Sequence, residues 1–336
     1  MIDNSLEQVD PNYTIKLIDD SIKQSNDCLA ISFNLSGSIM ISASKQDIKV
    51  WAFAQGKLKE ITTLKGDTKN IFCLLFSQKS NSFVSASSDY SIRCWKQINE
   101  KDWKNSQSYQ KHTNYIQCLI LNQSEKELVS GGADNSIKIW QIDFNKNELT
   151  YLYSLEKHTN SVFSLCLNQS ENILVSCGYD NQIIIWNKDN KQKWQFEYVV
   201  TQTIKEQGRR LCFINDNQFI WVTGNQIGKD CISMFELKDG KYQENLDKQV
   251  KLIKNDSDYD YTLYPIFYNK EKRLVIVRYK CHVYLIKISN NGQLQIITSI
   301  KYESNSIQGA LSNDGRYLVN WSKSGQKYDI YEIFIN

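Results

Sequence analysis

Three histidines, His112, His158 and His282, are the only imidazoles in 336 residues, and that scarcity limits acid–base chemistry from the outset. Hydrolases built on a Ser–His or Cys–His pair, or on an H-E-x-x-H zinc site, need histidine at set spacings. Neither H-E-x-x-H, G-x-S-x-G nor a glycine-rich phosphate loop occurs. Nine cysteines, an odd number without a C-x-x-C pair, predict scattered buried thiols rather than a disulfide framework or a zinc cage. No metal, no cofactor and no enzymatic activity are therefore expected. Asp256, Asp258 and Asp260 imitate the start of a calcium loop, but Tyr261 stands where glycine is needed and Phe267 where the closing glutamate belongs. That segment reads as a solvated connection. The sequons at Asn34, Asn122 and Asn168 would matter only in a secreted chain.

The background is that of an ordinary globular protein. Forty basic against 37 acidic residues leave +3, too weak a field to call for nucleic acid or an anionic membrane. Met1–Glu7 lacks an apolar signal region, and no apolar run approaches the roughly 18 residues of a membrane helix. The expectation is a cytoplasmic protein with protein partners, monomeric as a unit within a complex.

What positions the chemistry is a repeat. Lys111-His112-Thr113-Asn114 leads through Leu128-Val129-Ser130-Gly131-Gly132-Ala133-Asp134 to Ile137-Lys138-Ile139-Trp140. Forty-six residues later, Lys157-His158-Thr159-Asn160 leads through Leu174-Val175-Ser176-Cys177-Gly178-Tyr179-Asp180 to Ile183-Ile184-Ile185-Trp186. Weaker copies end at Trp51, Trp95, Phe235, Ile286 and Tyr331, and the seven ends are spaced 44, 45, 46, 49, 51 and 45 residues apart. Within each copy, short runs of alternating polarity separated by turn residues mark an antiparallel meander of about four strands.

These residues resemble the WD-repeat family, with His before the first strand, Ser in the second, Asp in the next turn and Trp closing the third. The resemblance spans nearly the whole chain and is sharpest in units 2–4. It implies an all-β, seven-bladed β-propeller of four-stranded antiparallel blades, residues 13–336, preceded by a short flexible leader, 1–12. Tyr13–Ile18 alternates like a strand and would supply the fourth strand of the last blade, closing the ring. A buried indole, hydroxyl and imidazole each need a partner. Structural relays are therefore expected in unit 3 (His112, Ser130, Asp134, Trp140) and unit 4 (His158, Ser176, Asp180, Trp186). Unit 2 keeps Ser85, Asp89 and Trp95 with Asp67 in the histidine position, and unit 1 has Gln24 there. Units 5–7 keep no relay and are expected to close by packing alone, and His282 is expected on an exposed or edge position.

The resemblance also implies a partner-binding face formed by the loops before the first strands and the turns after the second. Carried over by position, that face comprises Asn70, Phe72, Tyr115, Gln117, Ser161, Phe163, Tyr179, Arg209, Arg210 and Tyr261, with Ser88 and Ala133 in the turns. The function implied is a non-enzymatic protein–protein interaction scaffold. Two alternatives follow from the same family. Substrate receptors of ubiquitin ligases often carry Asp then Arg shortly after the repeat Trp, whereas here Ala52, Lys96, Gln141 and Asn187 follow. A cytosolic iron–sulfur protein assembly factor matches in length alone.

Overall fold

The computed structural model describes residues 2–3, 13–224, 230–254, 260 and 264–335, and no helix occurs among them. Seven antiparallel sheets form the blades of a propeller. Blade 1 is Ile31–Phe33, Ile39–Ser44, Asp47–Ala54 and Lys57–Lys65; blade 3 is Ile116–Leu121, Glu127–Gly132, Ile137–Asp143 and Glu148–Leu155. Blade 4 is Val162–Leu167, Ile173–Gly178, Ile183–Lys188 and Trp194–Val199, and blade 5 is Gly208–Asn215, Gln218–Thr223, Cys231–Lys238 and Lys241–Lys251. Blade 2 (Ile71–Phe76, Ser82–Ser87, Ser91–Gln97) splits its outer strand into Trp103–Asn105 and Tyr109–Gln110.

Blade 6 consists of Phe267–Asn269, Leu274–Tyr279, His282–Ile288 and Leu294–Lys301. Ile2 and Asp3 pair with Ile300 and Ser299 on its outer edge; the remainder of the expected leader lies outside the described residues. Blade 7 is Ile307–Leu311, Tyr317–Ser322 and Lys327–Ile335, and its fourth strand is Tyr13–Asp19. The N-terminal strand thus closes the ring.

Burial explains the strand compositions. The second strands are enclosed on both faces, as in Ile39–Ser44 and Ser82–Ser87, where every residue is buried, so they read as continuous apolar and small residues. Outer strands such as Glu148–Leu155 keep one wet face and alternate. The core has no centre: seven apolar clusters lie between blades, each drawing on two neighbours. One joins Val84 and Ile92 of blade 2 to Leu128 and Trp140 of blade 3; another joins Tyr328 of blade 7 to Trp51 of blade 1. Each large apolar side chain so buried contributes about 1.5–3 kcal/mol, and an unclosed ring would leave one such seam open.

Register is uniform. Trp51, Trp95, Trp140, Trp186, Phe235, Ile286 and Tyr331 sit opposite Met40, Phe83, Leu128, Leu174, Phe219, Val275 and Leu318 respectively. A β-bulge immediately precedes Trp51, Trp140, Trp186 and Ile286 in pairing with the outer strand. The turns between first and second strands also clasp one another around the ring. Glu125 accepts hydrogen bonds from Ser77 Oγ (2.5 Å) and Gln78 N, Glu171 from Gln123 N (2.5 Å), and Asp216 from Ser170 N and Oγ. Asn313 Nδ2 donates to Asn34 O across the closure. The sequon residues serve these turns: Asn34, Asn122 and Asn168 each accept backbone N–H groups through Oδ1.

Candidate functional site at the mouth of the central cavity

The blades are locked at one face by their polar relays. In blade 3, Trp140 Nε1 donates to Ser130 Oγ (2.9 Å), Ser130 Oγ lies 2.7 Å from His112 Nε2, and His112 Nδ1 lies 2.9 Å from Asp134 Oδ2. Indole only donates and the carboxylate only accepts, so the imidazole accepts a hydrogen bond from the Ser130 hydroxyl at Nε2 and donates its Nδ1–H to Asp134. Burial holds the His112 pKa below its ordinary value, outweighing Asp134, which keeps the ring neutral. Burial alone would raise Asp134, but His112, Ser136 and Thr113 hold it well below the carboxylate range. Gly132 makes room: a Cβ there would come within 2.5 Å of His112 Nδ1. Blade 4 repeats the set, with Trp186–Ser176 at 2.8 Å, Ser176–His158 at 2.7 Å and His158–Asp180 at 2.8 Å.

Blade 2 substitutes a carboxyl for the imidazole. Asp67 Oδ2 accepts from Ser85 Oγ (3.0 Å), which accepts from Trp95 Nε1 (3.0 Å), while Asp67 Oδ1 pairs with Arg93 Nε at 3.2 Å. Asp89 is bound instead by Thr68 and Ser91. Burial pushes Asp67 up to about 6, with Asp89 adding to the rise and Ser85 and Arg93 opposing it. Blade 1 recruits a neighbour. Trp51 Nε1 donates to Ser42 Oγ (2.8 Å), and the Tyr328 hydroxyl of blade 7 sits 2.7 Å from Ser42 Oγ and 2.8 Å from Gln24 Oε1.

Blades 5–7 do not close by packing alone, as the sequence had suggested. Asp260, expected in a solvated connection, is fully buried between Arg210 and Arg278. Arg210 Nη1 and Nη2 hold its carboxylate at 2.7 and 3.0 Å, and Arg210 Nε donates to Tyr264 O at 2.6 Å. Lys280 pairs with Asp230 at 3.0 Å. Burial would raise the Asp260 carboxyl, but the two guanidiniums keep it low. His282 is likewise buried, 3 % exposed, with Nδ1 3.4 Å from Cys281 Sγ, because the hairpin it starts is folded into the ring. Asp256 and Asp258 lie outside the described residues.

A central cavity of about 640 Å³ is lined by the first strands of the blades and by Tyr264–Phe267. At the start of those strands it is bordered by Phe72, Gln117, Phe163, Arg209 and Gln308. Four of the five belong to the face expected from sequence; Gln308 was missed because its unit lacks a recognisable preceding motif. Gln308 is 2 % exposed, and its Nε2 has no hydrogen-bond partner among the described residues.

The remaining face residues spread outward from that border. Asn70 is exposed, and Ser161 is half-buried beside Tyr179, whose N–H bonds Ser161 O. Tyr115 and Tyr179 are the most open aromatics among the described residues, 42 % and 48 % exposed. Phe72 packs edge-on against Tyr115 (5.7 Å), and Phe163 against Tyr179 (6.0 Å). Arg209 and Arg210 are not an exposed pair. Arg209 is 6 % exposed with its guanidinium 4.1 Å over the Phe163 ring, and Arg210 is 2 % exposed in the ion cluster. Ser88 and Phe163 are also buried, and Tyr261 lies outside the described residues.

Tyr90 was not anticipated. It stands in blade 2 where Asn135 and Asn181 occupy the same turn, and its φ of 72° places a bulky residue in left-handed backbone. Its ring lies 5.7 Å from Tyr115, beneath Lys69 Nζ. The exchange of a turn asparagine for tyrosine was the available signal.

Among the described residues no group of His, Cys, Asp or Glu could hold a metal ion. The family model described as WD domain, G-beta repeat matches residues 58–96, 103–141 and 149–187. Each match begins in the outer strand of one blade and ends in the third strand of the next, so every repeat straddles a seam. The comparison with curated proteins finds no match.

Proposed function

We propose, from the premise that the chain carries WD repeats in a seven-bladed propeller, that it is a non-enzymatic scaffold holding protein segments on the face around the cavity mouth. The observation that carries this reading is the pair of half-open tyrosines, Tyr115 and Tyr179, each braced by a phenylalanine at the cavity border. Rigid aromatic anchors lose little entropy on binding and dominate protein interfaces. Tyr90, its ring 5.7 Å from Tyr115, adds a further aromatic beside that anchor. The Gln308 amide adds a buried donor for a partner's carbonyl.

The test is quantitative affinity purification from the native cell with the wild type and the Tyr115→Ala/Tyr179→Ala variant. Both substitutions are on the surface, so the melting temperature is expected to hold while captured partners are lost at least tenfold. Capture of the same proteins in the same amounts by both would overturn the assignment of the face.

A further inference from the structure

The central cavity has an apolar wall. Between its two ends it is lined by Leu75, Leu119, Ile120, Leu121 and Phe267, each only half-buried although it stands on an innermost strand. Those strands are sheet edges, and an edge turns unpaired backbone groups to whatever lies beside it. Side chains of the preceding blade take several of these groups. Ser32 Oγ accepts from Phe76 N at 3.2 Å, and Ser164 Oγ from Leu211 N at 3.1 Å. Cys73 Sγ donates to Ile116 O, Cys118 Sγ to Val162 O and Arg210 Nε to Tyr264 O. A water held in a cavity needs about two to four polar partners, and a wall of leucine and isoleucine offers few.

One of these stitches is missing. Cys73, Cys118, Ser164 and Arg210 share a register, opposite Ala86, Gly131, Cys177 and Val222. Gln308, opposite Trp321, holds the same place in blade 7 and borders the cavity. Where its counterparts tie one blade to the next, its Nε2 has no hydrogen-bond partner among the described residues. An enclosed amide donor without an acceptor is costly, and an entering carbonyl oxygen relieves it.

We propose that the central cavity binds a long-chain fatty acyl group, its chain against Leu75, Leu119 and Phe267 and its carbonyl oxygen accepting from Gln308 Nε2. The 640 Å³ volume falls within the span of small-ligand sites, about 300–1,000 Å³. Gln117 and Asn122 both line the cavity, so it is about 16 Å long at ~3.3 Å per residue. That shape suits an extended chain with one polar end. A peptide running down the same wall would leave its own N–H and C=O groups unpaired. The site goes beyond the scaffold reading and stands whether or not the outer face captures proteins.

The test titrates the purified full chain, by isothermal calorimetry below the micelle concentration, with octanoate, laurate and palmitate. A further arm uses palmitoyl-glycine, whose acyl carbonyl is an amide, as on an acylated peptide. The expected result is one ligand per chain, with laurate bound at least about tenfold more tightly than octanoate as more methylenes are buried. Gln308→Met, similar in size but without the donor, should weaken binding about fivefold at an unchanged melting temperature. Leu119→Trp should fill the cavity and abolish binding; should it fold poorly, the methionine variant still gives a reading. Either order of palmitate and palmitoyl-glycine supports the site, the tighter one marking a free acid or an acylated segment as its source. Absence of binding in every arm, several ligands per chain, affinity independent of chain length, or wild-type affinity in both variants would overturn the proposal.

Discussion

Replacing Asp67 by histidine should complete the relay that blade 2 lacks. The wild-type carboxyl is pushed up to about 6 by burial, about two pH units above the 3.8 of an unperturbed aspartate. At 1.36 kcal/mol per unit, an ionised Asp67 costs about 3 kcal/mol at pH 7.5. An acid with a raised folded pKa contributes stability that is complete below pH 3.8 and is lost as pH rises through about 6. The introduced imidazole would accept from Ser85 and donate to Asp89, turning the like-charge approach into a hydrogen bond worth about 1–2 kcal/mol. Arg93, whose side chain is 14 % exposed, loses its partner and offsets part of this gain. The net expectation is about 2 kcal/mol, or a rise of about 2–4 °C in melting temperature at pH 7.5. Asp67→Asn serves as the control, since it removes the titration without completing the relay. Thermal unfolding followed by circular dichroism from pH 4 to pH 8 reads all three proteins. The wild type should gain on Asp67→Asn as pH falls from 7 to 4.5, and Asp67→His should lead only above about pH 6. A histidine variant that melts below wild type at pH 7.5, or a wild-type–asparagine difference that ignores pH, would refute the reasoning.

Trp140→Ala should cost about 3–5 kcal/mol through the cavity it leaves, and His112→Ala about 1–3 kcal/mol by stranding Ser130 and Asp134; unchanged denaturant midpoints would contradict the hydrogen-bond chain. Tyr328→Phe keeps the ring's packing against Trp51 but removes the hydroxyl shared by Ser42 and Gln24, so a loss of about 1–3 kcal/mol is expected in urea unfolding. Asp260→Asn leaves Arg210 and Arg278 facing each other in a buried site and should cost about 3–5 kcal/mol. Coupling the same change with Arg278→Met should recover much of that loss, and a double variant no better than the single would show that the cluster is not the cause.

The parts that were legible in the sequence are those in which one repeat contains its own partners. His112, Ser130, Asp134 and Trp140 fall within 29 consecutive positions, and their bonds follow from the resemblance to the repeat motif and from each buried group's need for a partner. The parts that were not legible pair across seams. Arg210 finds Asp260 50 residues away, and Tyr328 finds Gln24 304 residues away, distances at which no local pattern operates. Asp260 was misread for the same reason: beside Asp256 and Asp258 it looks like a solvent-facing acid, and only the two arginines of neighbouring elements make it a core residue. On the candidate face, Tyr115 and Tyr179 are exposed while Arg209 and Arg210, assigned to it by the same positional rule, are buried, because a repeat offset does not report which side of the strand the next blade covers.

The closure between Tyr13–Asp19 and Lys327–Ile335 sets an order of events during synthesis. Lys327 Nζ and Asp20, paired in the folded ring, are 307 residues apart along the chain. A ribosome releases the first strand of that pair some 307 residues before the second. Until then the earliest strand has no sheet to join, and the seam between blades 7 and 1 stays open with Trp51 and Phe53 uncovered. The nascent protein therefore carries an unpaired strand edge until Lys327–Ile335 is made, at the stage when such edges are most prone to pair with the wrong chain. Ring completion becomes a single late step whose entropy cost is met only when Lys327–Ile335 emerges.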